Sequence, residues 1–159
     1  MTTLHLHLDH HQAVFRDPDP DRGAEYVVPL GSSDLAEMLA GDPPLPEELT
    51  NAIGLFVDHM EDVTREVPGA SFAEVISVHG PGLQALVDTE AGVGRTLPVP
   101  LTRDELEEVF RTLATEAATD RRLNPGLPTD EVHHILGVCC ALVALVRALQ
   151  APGLVAVLP

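Results

Sequence analysis

Every residue from Ile135 to Val146 is aliphatic, glycine or cysteine. A bilayer-spanning helix needs about 20 apolar residues, so this run is too short to cross a membrane. Thr129 can cap a helix running through it to about Gln150. A helix apolar on nearly every face cannot lie on a protein surface, because no side of it is compatible with water. It therefore belongs at the centre of the fold, and the rest of the chain must cover it.

The remaining pattern supplies the covering elements. Leu4, Leu6 and Leu8 alternate with His5, His7 and Asp9, the period of a half-buried strand. A second strand follows over Gln12 to Arg16, the turn Asp17–Gly23 breaks the chain, and Glu25 to Leu30 completes a three-stranded meander. Ser33 caps a short helix to about Ala40. Pro46, Glu47 and Glu48 open a long helix whose inner stripe is Leu49, Ile53, Phe56, Val57, Met60 and Val63. Ala73 to Val78 reads as a buried strand, and Leu83 to Asp88 as a short helix. Thr102 with Glu105 forms a capping box at the head of a helix reaching about Arg121. Leu154 to Leu158 is a closing strand. The predicted order is βββαα, β, ααα, β, an α/β chain of one domain over residues 1–159 with a five-stranded mixed sheet flanked by helices.

Charge narrows the functions open to such a chain. The net charge is −16, with 25 acids against nine basic residues, all of them arginine. A surface this negative repels nucleic acid and offers no basic stripe for it. Cys139 and Cys140 are adjacent, a spacing poorly suited to a disulfide, and read as buried thiols of a reducing compartment. With no basic and apolar leader at Met1-Thr-Thr-Leu-His5, the expectation is a soluble cytoplasmic protein with no membrane segment.

Several segments, in order along the chain, resemble the second, actin-like domain of the exopolyphosphatase/guanosine pentaphosphate phosphatase family. They are Val28-Pro-Leu-Gly31, Asp42-Pro-Pro-Leu-Pro-Glu-Glu-Leu49, Leu101-Thr-Arg-Asp-Glu-Leu106 and Arg121-Arg-Leu-Asn-Pro-Gly-Leu-Pro128. The resemblance implies a ribonuclease-H-like fold. It also implies a glycine-rich phosphate loop where His5-Leu-His-Leu-Asp-His-His-Gln12 stands, and a second loop near His79-Gly80-Pro81. Backbone N–H groups must approach a phosphate closely, which is why glycine is needed there. In this chain Gln12, His79 and Gly80 are the positions where the family's loops are degenerate. The family's preceding domain, with its catalytic acid, has no counterpart among these residues. The expectation is a relative without hydrolytic equipment that acts by binding, as a homodimer imitating the paired-domain arrangement; a weak phosphatase in a dimer-built cleft is an alternative.

The same strand carries a second pattern. His5, His7, Asp9 and His10 spell His-x-His-x-Asp-His, similar to the metal signature of the metallo-β-lactamase superfamily, which implies Zn²⁺ or Ni²⁺ and a metal-dependent hydrolase. The competing reading is a strand whose outer face carries histidines without a metal. His133 and His134 head the buried helix, and His59 lies on the polar side of the long one. No Ser/His/Asp order and no cysteine with a basic neighbour stands out.

Overall fold

The structure is a computed structural model describing residues 2–17, 19 and 21–159. Three strands form first: β1 (Thr3–Leu8), β2 (Ala13–Arg16) and β3 (Glu25–Val28). Helices α1 (Ser32–Glu37) and α2 (Pro46–Glu66) lead into β4 (Val75–His79) and α3 (Leu83–Ala91). Then come β5 (Val99–Thr102), α4 (Arg103–Thr115), α5 (Ala118–Arg121), α6 (His134–Leu149) and β6 (Gly153–Ala156). The strands make one mixed sheet in the order β3-β2-β1-β4-β6-β5, with β1, β4 and β6 parallel.

The sheet has six strands where five are expected. Pro98 and Pro100 make the segment before Thr102 read as a loop. Val99–Thr102 is instead an edge strand antiparallel to β6, a place where a proline's missing N–H costs no central ladder bond. The fold class otherwise stands as read from the sequence.

Three helix boundaries also differ. Gly31, and not Ser33, precedes the first turn of α1, and Asp34 reaches back to accept from the Gly31 N–H at 2.9 Å. The helix expected from Thr102 to Arg121 breaks at Glu116, which is extended (φ −88°, ψ 142°). The helix expected from Thr129 begins as a separate single turn, Thr129–Glu131, before α6. Thr102 does cap α4, accepting from the Glu105 N–H at 3.1 Å while Glu105 accepts from the Thr102 N–H at 2.9 Å.

Alternation in the strands sorts the sheet into two unlike faces. Leu6 pairs with Phe15, and Val78 with Ala156, on the inner face, where Leu4 and Leu8 are equally buried. Against that face lies α6, buried at every position from Ile135 to Val146, with α1, α2, α3 and α4 packed on it. The helix that had to be central is central. The opposite face carries His5, His7, Val27 and Val155 and has no helical cover among the described residues: His5 is exposed and Val27 is 44 % exposed. Among the described residues no helix is long and apolar enough to cross a membrane.

Candidate functional site

In open α/β sheets, ligands bind beyond the carboxyl ends of the parallel strands. Here that edge is built by the β1–β2 turn (9–12), the start of α1, the β4–α3 connection (80–82) and the residues opening α6. All the histidines except His5 and His59 lie on or beside these elements.

The turn is seated on α1 by its backbone. The Ser32 N–H donates to the Asp9 carbonyl at 3.0 Å, and the Ser33 N–H to the His10 carbonyl at 2.9 Å. Gln12 closes the turn through its carbonyl, which accepts from the Asp9 N–H at 2.9 Å. The side chains repeat the attachment: His10 Nδ1 lies 2.6 Å from Ser33 Oγ, and His11 Nδ1 lies 2.9 Å from Asp34 Oδ1. Hydrogen bonding and charge from Asp34 raise the His11 pKa above its ordinary value. Desolvation works against the Asp34 carboxylate, yet the Gly31 N–H and His11 together hold its pKa below the usual range. Histidine side chains and backbone contacts therefore occupy the turn.

The second connection keeps its glycine geometry. Gly80 has φ 145°, and a Cβ there would stand 2.0 Å from the Leu8 carbonyl oxygen. Gly82 has φ 91° and precedes α3, with Val138 pressed close. Only glycine lets this connection lie against the end of β1.

Beneath the turn, three side chains form an order that sequence reading missed. His134 Nδ1 lies 2.6 Å from Glu131 Oε2, and His134 Nε2 lies 2.7 Å from Ser32 Oγ. A carboxylate only accepts, so Nδ1 carries the proton facing Glu131. This is the acid, imidazole and hydroxyl order of hydrolytic triads. Its surroundings oppose that chemistry. Ser32 is fully buried, its hydroxyl is also 3.3 Å from the Asp9 carbonyl, and the nearby Ser32 and Ser33 N–H groups are already spent on Asp9 and His10. Those two N–H groups are not free to stabilise an oxyanion, and the trio joins the turn, α1 and the start of α6 as a clasp. The His10 ring lies beside the clasp, its centre 4.8 Å from that of His134 and tilted 35° to it. Only the Glu131–His134 spacing is local, whereas Ser32 is supplied by tertiary folding.

The four residues of the proposed metal pattern separate by structural role. His5 and His7 project from the uncovered sheet face, where His5 Nδ1 meets Ser77 Oγ at 2.8 Å and His7 stacks on His79 with ring centres 4.4 Å apart. Burial first, then His7 and Arg16, lower the His79 pKa. Asp9 and His10 sit in the turn, where Asp9 Oδ1 accepts the His10 backbone N–H at 2.8 Å. Among the described residues, no three His, Cys, Asp or Glu side chains gather as a metal ligand set. The alternation that aligns His5 with His7 ends at Leu8, so Asp9 and His10 leave that face.

The site is also poor in cations. Its carboxylates are partnered by histidines, Asp34 by His11 and Glu131 by His134, and no arginine takes part in either contact.

No family model and no curated protein matches the sequence. Solved structures do match the fold. An exopolyphosphatase-like protein superposes with a TM-score of 0.85 at 16 % identity, covering 99 % of this chain and 54 % of that one. The Aquifex aeolicus Ppx/GppA enzyme gives 0.83 at 15 % identity, covering 99 % and 53 %. An exopolyphosphatase from Cytophaga hutchinsonii gives 0.74 at 9 % identity, covering 98 % and 53 %. The chain thus spans about half the length of these structures and has the fold of an exopolyphosphatase domain, as the motif order along the sequence implied.

Proposed function

We propose that this chain is an exopolyphosphatase-related module that acts by binding and does not hydrolyse phosphoanhydrides. The observation that supports the reading is the β1–β2 turn, the segment that the family resemblance aligns with a phosphate loop, where His10 and His11 are tied to Ser33 and Asp34. A polyphosphate entering there would displace those bonds and meet the carboxylates of Asp34 and Glu131 on a chain of net charge −16. Uncompensated like charge of this kind disfavours binding before any chemistry begins.

The test is orthophosphate release from polyphosphate and from guanosine pentaphosphate by untagged protein, with and without Mg²⁺. Release at the level of a buffer control is expected. Turnover that disappears in His10→Ala and His134→Ala variants would overturn the reading, because it would place chemistry at this turn.

A further inference from the structure

We propose that the groove between α2 and α4 binds a small amphiphile, an apolar chain carrying an anionic head. Both helices pack on α6, and the space left between them is a cavity of about 490 Å³. A volume of this size suits a small molecule. The walls are Leu49, Ile53 and Val57 of α2 and Phe110 of α4. From Pro46 to Val57 the groove follows α2 for about 16 Å. A helix of that length and about 10 Å across occupies roughly 1,200 Å³, so only a narrower molecule lies within the walls.

Gly54 sets this groove apart from loose packing. Glycine is among the least favourable residues inside a helix, and a close contact is its usual reason for being there. Gly54 has no such contact: nothing stands within 4 Å of where its Cβ would lie, and the residue lines the groove. What the missing side chain provides here is room.

The polar groups of the groove select the head. Thr50 Oγ1 donates to the Pro46 carbonyl at 3.0 Å, so its proton is used within the helix. Arg147 remains. It holds Glu107 through Nε at 2.8 Å and Nη2 at 2.7 Å, and its other three N–H groups have no partner among the described residues. They only donate, on a side chain 41 % exposed, so the head must accept. The Arg147 hydrogen bonds, working against burial, and the charges of Arg147, Arg103 and Arg111 hold the Glu107 pKa below the ordinary carboxylate range. Glu107 is thus ionised and fixes the guanidinium, while three arginines surround that one acid. Glu105 and Glu108 of the same helix act on Glu90 of α3 instead. By contrast, Arg22 faces both Asp17 and Asp19, and Arg65 both Asp62 and Glu66. Arg147 lies at the opposite end of α6 from His134, about 20 Å away, so the groove is separate from the β1–β2 turn and independent of what the turn does.

The experiment is isothermal titration calorimetry of the untagged chain with decanoate, and with decanamide, which has the same chain and no charge. Saturable one-to-one binding of decanoate is expected with a Kd on the order of 100 µM, and of decanamide about tenfold more weakly. At a net charge of −16 the general field of the chain repels anions, so decanoate binding reports a local site. Gly54→Leu fills the groove from within, and affinity for decanoate is expected to fall about tenfold or more with an unchanged circular dichroism spectrum. Arg147→Gln should bring the two probes to within about twofold of each other, and it tests the head even where Gly54→Leu impairs folding. Leu55→Ala, on α2 outside the groove, leaves both affinities unchanged. No saturable decanoate binding, equal affinity of the parent for both probes, or binding that either groove variant leaves untouched would overturn the proposal.

Discussion

Replacing glycine by alanine in a helix should have opposite effects at two positions of this chain. In a helix interior alanine is favoured over glycine by about 1 kcal/mol. Gly54 in α2 has open space where an added methyl would stand, with nothing within 4 Å, so Gly54→Ala should gain about 0.5 to 1 kcal/mol. Gly137 in α6 is the point where α1 crosses. A Cβ there would lie 1.9 Å from the Ser32 carbonyl oxygen and 2.8 Å from the Ala36 nitrogen. These are backbone atoms and cannot rotate aside, so the two helices must part by more than an ångström. Ser32 is held to Asp9 and His134, and parting the helices strains the clasp as well. Overpacking costs about 1 to 3 kcal/mol, and a lost hydrogen bond about 1 more. Set against the propensity gain, Gly137→Ala should lose about 1 to 3 kcal/mol. With a urea slope of about 2 kcal/mol per molar, the midpoint should fall by roughly 0.5 to 1.5 M for Gly137→Ala and rise by roughly 0.3 to 0.5 M for Gly54→Ala. Urea titration followed by far-ultraviolet circular dichroism measures both. A Gly137→Ala protein as stable as the parent would refute the close crossing and the clasp built on it.

Arg121 is fully buried and donates to the carbonyls of Val132 (2.9 Å), Leu113 (3.1 Å) and Glu116 (2.6 Å), two of them at the end of α4. Arg121→Met leaves these carbonyls unpartnered at about 1 kcal/mol each, so thermal unfolding should drop by roughly 6 to 12 °C; a drop under about 2 °C would refute the role. Glu48 accepts from the N–H groups of Leu45, Ala40 and Gly41, and these bonds hold its pKa below the ordinary value. Its stabilising effect is present above the unfolded-state pKa and disappears as pH falls through the lower folded-state pKa. The urea midpoints of the parent and Glu48→Gln should therefore differ at neutral pH and converge in acid; a gap independent of pH would contradict this.

What the sequence determined by itself is what short-range chemistry and periodicity control. The Leu4, Leu6 and Leu8 alternation placed β1, the capping box of Thr102 and Glu105 marked the start of α4, and the apolar run placed α6 at the centre. The order of local motifs was enough to anticipate the fold, because each element is specified by neighbours a few residues away. Strand β5 escaped because Pro98 and Pro100 are loop residues by local chemistry, and only the neighbouring β6 makes an edge strand of Val99–Thr102. Arg121 gave no sign of burial, since its partners, the carbonyl ends of other segments, converge only after α4 breaks at Glu116.

The site divides the same way. Its histidines were legible, and tertiary structure divides them: His5 and His7 share the outer face of β1, while Asp9 and His10 lie past its end in the turn. Ser32 and His134 meet because α1 crosses α6 at Gly137, a contact that no sequence spacing encodes. The apolar run that had to be buried is therefore also the floor of the site, and tertiary packing alone decided which side chains stand on it.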